Sequence, residues 1–159
     1  MYSTLVSELA NALLARGAQL VTAESCTGGL IAGACTDLAG SSNWFERGFV
    51  SYSNQAKTEM LGVEPALIEM HGAVSEAVAL AMARGAVRHS LAQCSLAVTG
   101  VAGPGGGSPD KPVGTVWFGW CVEGRCDAEC VRFAGDRAAV REATVAHALK
   151  GLLLRLRTS

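Results

Sequence analysis

Ala18-Gln19-Leu20-Val21-Thr22-Ala23 runs into Glu24-Ser25-Cys26-Thr27-Gly28-Gly29, and from there into an apolar, helix-like run over residues 30–38. The first six residues read as a strand, and the glycine pair reads as the turn into the helix. A strand that passes through a tight turn into a helix is the opening of an α/β unit, so this stretch decides the fold class. It also sets a hydroxyl, a thiol and a second hydroxyl side by side at a helix entrance, where free N–H donors favour negative charge. A nucleophile here has oxyanion donors beside it. Ser25 or Thr27 acting as a plain N-cap fits the same spacing equally well.

On the amino-terminal side, Leu5, Leu9, Leu13 and Leu14 repeat at helical spacing and Gly17 marks the helix stop. On the other side, Gly40-Ser41-Ser42 reads as a loop and residues 48–53 as a second strand. Asn54 is placed to cap the next helix, which carries Lys57 and ends near Gly62. A short helix over 64–70 and an alanine-rich one over 76–89, capped by Ser75, come next. Residues 94–99 are almost wholly apolar, as a central strand of a covered sheet should be. They lead into the longest irregular stretch, the glycine-rich 100–112. Strands near 113–122 and 128–133 form a hairpin at Glu123-Gly124, and a final helix opens at Gly135-Asp136 with a stripe that includes Val145, Leu149, Leu152 and Leu156.

This order predicts a three-layer α/β/α fold: a mixed, mostly parallel sheet, partly antiparallel at one edge, covered by helices on both faces. One domain spanning 1–159 is expected. Such sheets bind ligands past the carboxyl ends of their parallel strands. The Ser25 turn and the loop after Thr99 both have that position.

Half of the residues are hydrophobic, 17% are charged and the net charge is -1, which leaves no electrostatic footprint for nucleic acid and no basic tail for a membrane surface. No run approaches the roughly 18 apolar residues of a membrane span, and the first residues lack the order of a signal peptide. A soluble, cytoplasmic protein is expected. The histidines (71, 89 and 147) are scattered and no Cys-x-x-Cys pair occurs, so zinc-ligand spacing is absent and no metal is expected. Most of the cysteines (26, 35, 94, 121, 126 and 130) are expected to be small buried hydrophobes rather than a disulfide framework.

A serine nucleophile needs a base, usually a histidine held by a carboxylate. None of the histidines has an obvious orienting carboxylate beside it in sequence. The alternative base is a lysine made neutral by burial. Lys150 lies late in the last helix and Lys111 lies between Asp110 and Pro112, whereas Lys57 follows a strand carrying Tyr52. A tyrosine hydroxyl beside an amine can pass protons or hold the amine in place; a solvated lysine and a strand-end aromatic are the plainer reading of the same spacing. The glycines after Thr99, among them Gly100 and Gly103, suit a phosphate or ribose cradle, although the loop matches neither a Walker nor a Rossmann pattern. Arg137 and Arg141, one helical turn apart, can clamp an anion or form a surface pair near Glu142.

At these residues the chain resembles the CinA carboxy-terminal domain family, whose enzymatic members are nicotinamide-nucleotide amidohydrolases. The stretches that carry the resemblance are the 22–29 segment, Gly48-Phe49-Val50-Ser51-Tyr52-Ser53-Asn54 with Lys57, Gly72-Ala73-Val74-Ser75-Glu76, Thr99-Gly100-Val101-Ala102-Gly103-Pro104, Lys111-Pro112-Val113-Gly114-Thr115-Val116-Trp117 and Gly135-Asp136-Arg137. The resemblance implies hydrolysis of the carboxamide of nicotinamide mononucleotide to nicotinate mononucleotide and ammonia, without metal or cofactor. It implies Ser25 as nucleophile, assisted by Lys57 directly or through Tyr52, with Thr99 nearby. Thr27, Gly28 and Gly29 would supply oxyanion amides, and Gly100, Gly103, Arg137 and Arg141 would meet the nucleotide's ribose and phosphate. Two rival readings are an amidase built on Cys26 with His71 as base, and a nucleotide-binding module that catalyses nothing. An apolar last helix points to a homodimer or higher oligomer.

Overall fold

The computed structural model describes residues 1–158. Its elements run α1 (Ser3–Arg16), β1 (Leu20–Glu24), α2 (Leu30–Thr36), a 3₁₀ turn (Ser41–Asn43), β2 (Phe45–Val50), α3 (Asn54–Leu61), α4 (Pro65–His71), α5 (Glu76–Arg88), β3 (Cys94–Gly100), β4 (Thr115–Val122), β5 (Arg125–Arg132) and α6 (Arg137–Thr158). The strands form one sheet in the order β2-β1-β3-β4-β5. β1 pairs in parallel with both β2 and β3, and β4 pairs antiparallel with β3 and β5. Parallel neighbours need long crossovers, which α2 and the α3–α5 run provide, whereas antiparallel β4 and β5 need only a tight turn. Glu123 and Gly124 form it, with φ 48° and 89°, the paired positive values of a type I′ hairpin.

Alternation along the strands divides the core into two layers. Leu20, Leu96, Val98, Phe118 and Trp120 face α1, α2 and α6, meeting Leu9, Leu13, Ile31, Val145 and Leu149. Val21, Ala23 and Ala97 face the other way, onto Leu61, Ile68, Val78, Met82 and Ala83 of α3, α4 and α5. Each large apolar side chain fully buried in these layers is worth roughly 1.5–3 kcal/mol. The mixed sheet with helices on both faces is the architecture that the order of elements implied. Among the described residues, no helix is long and apolar enough to cross a membrane.

Three local expectations change. The second strand is Phe45–Val50 rather than 48–53. Gly48, read as its start, lies inside it, opposite Thr22, because the pairing with β1 begins at Phe45; a Cβ at Gly48 would come within 2.7 Å of the Thr22 hydroxyl. The cap of α3 is Ser53, whose hydroxyl accepts the Ala56 N–H at 3.0 Å, not Asn54. Cys121 and Cys126 are disulfide-bonded, because the hairpin register sets them directly opposite each other. Cys26, Cys35 and Cys94 are buried thiols as expected, and Cys130 is exposed.

Candidate active site

Glu24 ends β1 and is 1% exposed, an unusual place for a carboxylate. One of its oxygens accepts the Thr27 hydroxyl at 2.6 Å and the Ile31 N–H at 2.9 Å; the other accepts the Ala32 N–H at 3.0 Å. The first amides of α2 are therefore satisfied by Glu24, and negative charge is favoured at that end of a helix. Neither Ser25 nor Thr27 caps the helix. Sequence reading passed over Glu24, although a carboxylate closing an otherwise apolar strand was the visible sign that something must satisfy it.

With capping done elsewhere, the Ser25 hydroxyl is available. Its backbone N–H donates to the Val98 carbonyl at 3.2 Å, tying the turn to β3. Its Oγ lies 3.1 Å from Lys57 Nζ and 3.4 Å from the carbonyl oxygen of Tyr52. Lys57 sits in the first turn of α3, which the Ser53 cap opens, and its amine reaches back to the Ser25 hydroxyl past the end of β1. It is 2% exposed, and its amine also donates to the Tyr52 carbonyl at 3.1 Å. Burial holds that amine below its usual value of 10.5. The structure thus brings together the two side chains that sequence spacing left 32 residues apart.

Tyr52 enters this arrangement through its main chain. Its side chain is 60% exposed, and its hydroxyl meets Arg137 Nη2 at 3.5 Å. The strand-to-helix turn points the ring outward, so the part of Tyr52 that meets Lys57 is its carbonyl and not its hydroxyl. Thr99 follows Val98 on β3 and is buried, but its hydroxyl donates to the Ala73 carbonyl at 2.9 Å, fastening the segment before α5. Gly100 ends β3. The Gly103 carbonyl accepts from Arg137 Nη1 at 2.9 Å, and Lys111 holds the same glycine-rich loop to the His71 carbonyl at 2.7 Å.

The two arginines do not converge as one clamp. Arg137 is exposed and faces the glycine loop and Tyr52. Arg141 is half-buried, and its Nε and Nη2 donate to the carbonyls of Cys26 and Thr27 at 3.1 and 3.2 Å. Of the turn amides, that of Gly28 closes onto the Ser25 carbonyl at 3.0 Å. Those of Thr27 and Gly29 have no acceptor among the described residues. A groove of about 610 Å³ between α1, α2 and α6 adjoins the turn at Gly29 and Arg141.

The Cys26 thiol is buried and pushed up to about 11, chiefly by desolvation, so it stays protonated near neutral pH. His71 is exposed, His89 bonds the Gly85 carbonyl and His147 pairs with Glu129; among the described residues no histidine side chain is hydrogen-bonded to Ser25 or Cys26. Among the described residues, no group of three or more histidine, cysteine, aspartate or glutamate side chains is arranged to hold a metal ion.

Residues 2–156 match the CinA C-terminal domain. The nicotinamide-nucleotide amidohydrolase PncC of Escherichia coli (strain K12) is 52% identical over 151 residues, covering 93% of this chain and 90% of its own. The protein of the same name from Pseudomonas putida is 54% identical over 151 residues, covering 95% and 94%. Among solved structures, the competence/damage inducible protein CihA from Agrobacterium tumefaciens superposes with a TM-score of 0.93 at 45% identity, over 98% of this chain and 94% of that one. With the profile matched almost end to end, the chain belongs to the CinA C-terminal domain family.

Proposed function

We propose that this protein hydrolyses the carboxamide of nicotinamide mononucleotide, giving nicotinate mononucleotide and ammonia, with Ser25 as nucleophile and Lys57 as base. The observation that carries the reading is the buried 3.1 Å contact between Lys57 Nζ and Ser25 Oγ. Relatives more than half identical that are named nicotinamide-nucleotide amidohydrolase supply the substrate.

Neutral Lys57 accepts the Ser25 proton as Oγ attacks the carboxamide carbon. Negative charge gathers on the carboxamide oxygen, where an N–H donor from the Thr27–Gly29 turn is worth about 3 kcal/mol. The C–N bond then breaks. Amide ion is too poor a leaving group to depart unprotonated, so the ammonium of Lys57 returns its proton to the nitrogen and ammonia leaves. Water attacks the resulting Ser25 ester while Lys57 takes a proton from it. Collapse expels the serine oxygen, which recovers that proton, and nicotinate mononucleotide is released. The Tyr52 carbonyl orients the amine throughout. Exposed Arg137, beside the glycine loop, is the phosphate-binding candidate.

Cys26 is the weaker nucleophile candidate, because its thiol is kept protonated and no histidine is hydrogen-bonded to it among the described residues. The test is to incubate the purified protein with nicotinamide mononucleotide and measure ammonia and nicotinate mononucleotide. Equal amounts of both are expected; tight binding with the nucleotide recovered intact would instead make the protein a binding module.

A further inference from the structure

We propose that Arg141 is a positioning residue for amide hydrolysis: it fixes the Thr27 N–H as an oxyanion donor and does not bind the nucleotide's phosphate. The proposal rests on the reading of Ser25 as nucleophile. Arg141 lies near the start of α6, and its guanidinium grips two successive carbonyls of the nucleophile turn, those of Cys26 and Thr27. In a trans peptide unit the C=O and the following N–H point in opposite directions. Drawing the Cys26 carbonyl towards Arg141 therefore turns the Thr27 N–H away from it. That N–H has no acceptor among the described residues. Drawing the Thr27 carbonyl the same way directs the Gly28 N–H, which closes onto the Ser25 carbonyl at 3.0 Å and locks the residue bearing the nucleophile.

The opposite polarity is handled by Glu24, which takes the Thr27 hydroxyl and the Ile31 and Ala32 amides. A carboxylate and a guanidinium thus pin the turn, one through its donors and the other through its carbonyls. A preorganised donor accelerates the reaction because it needs no rearrangement when charge develops. Arg141 Nε and Nη2 are both given to carbonyls of the turn, so the two-nitrogen edge that would grip a phosphate in bidentate fashion is already in use. Arg137 is exposed and gives only Nη1 to a carbonyl, that of Gly103 at 2.9 Å, while its 3.5 Å contact with the Tyr52 hydroxyl is long enough to yield to an anion.

The test is steady-state kinetics on nicotinamide mononucleotide with wild type and Arg141→Met, repeated with free guanidinium added at millimolar concentration. The expected result is a fall in kcat of about 10²-fold with KM within about threefold, since the lost interaction operates in the transition state. Partial recovery of kcat by guanidinium is also expected, because the cation can reoccupy the two carbonyls. A KM raised about tenfold or more at retained kcat would put Arg141 on the phosphate and overturn the proposal. A kcat loss that guanidinium leaves untouched would reduce the residue to a structural prop and overturn it too. Should Arg141→Met fail to fold, Arg141→Lys, which keeps one donor group, is measured for the same division between kcat and KM. An inactive wild type would overturn the amidohydrolase reading and this proposal together; an active one with either adverse result overturns this proposal alone.

Discussion

Lys57 Nζ stands 3.1 Å from Ser25 Oγ with both residues almost wholly enclosed, at 2% and 7% exposure. The contact joins the first turn of α3 to the end of β1, two places that the sheet brings together only because β1 and β2 are parallel neighbours. Replacing Ser25 by Ala removes the attacking oxygen and little else. Ammonia release should fall by about 10⁴-fold or more. The melting temperature should move by only a few degrees, since one hydroxyl is lost at a site that stays packed. Turnover within tenfold of wild type would place the nucleophile elsewhere.

Lys57 links activity to pH. The base must be the neutral amine, so the rate should rise with pH through the Lys57 titration, and burial places that rising limb below 10.5. Stability moves with it. The lowered folded-state value means that the unfolded chain binds more protons between the folded and unfolded pKa values, so Lys57 adds to stability as pH climbs through that window and penalises folding below it. Lys57→Met should therefore abolish ammonia release yet melt higher than wild type at neutral pH, with the gain fading towards pH 10.5. A variant that melts lower at every pH would mean that the amine's two hydrogen bonds outweigh its desolvation.

Much of this was legible in the chain. The turn residues Glu123 and Gly124, the Ser75 cap and the apolar run before Ser25 each carry a local rule strong enough to hold in the fold. What escaped depended on register or on backbone direction. The disulfide needed the antiparallel pairing that sets Cys121 opposite Cys126. The bounds of the second strand needed the pairing of residues 45–50 with β1, which ends at Val50 opposite Glu24, and the α3 cap needed the Ser53 hydroxyl set on the Ala56 N–H. Within the site, Ser25, Lys57 and Arg137 were visible as chemical types. The contacts made by the Tyr52 carbonyl and by Arg141 were not, because no side-chain pattern reports where a main-chain carbonyl points.

Tyr52 separates the two routes for the proton. Its carbonyl accepts from Lys57 at 3.1 Å, and its hydroxyl lies outside with Arg137. Tyr52→Phe keeps the carbonyl and should lower kcat by less than about threefold, with any larger effect appearing in KM through Arg137. A loss of kcat on the order of 100-fold or more would restore the hydroxyl to the proton path.

Cys26 offers a control on the nucleophile. A thiol near 11 is almost entirely protonated at pH 8 and reacts slowly with alkylating reagents. Cys26→Ala should retain wild-type ammonia release within about threefold. Iodoacetamide at pH 8 should leave the wild type active over the time in which an exposed thiol, such as that of Cys130, is fully modified. Loss of turnover in the Ala variant, or rapid inactivation that this variant resists, would favour a cysteine enzyme.

Glu24 is the residue on which the turn's geometry depends most directly. Its two oxygens meet three donors: the Thr27 hydroxyl and the Ile31 and Ala32 amides. Glu24→Gln keeps the size but turns one oxygen into an NH₂ group, which must then face either a backbone N–H or the Thr27 hydroxyl. A buried donor left without an acceptor costs about 1–3 kcal/mol. For a chain of this length that lowers the melting temperature by about 2–4 °C per kcal/mol. Activity should fall further than stability explains, because the displaced Thr27 carries the N–H proposed as oxyanion donor. Melting curves and kcat measured well below the transition separate the two effects. A Gln variant with unchanged melting and unchanged kcat would show that the carboxylate's charge contributes nothing to holding the turn.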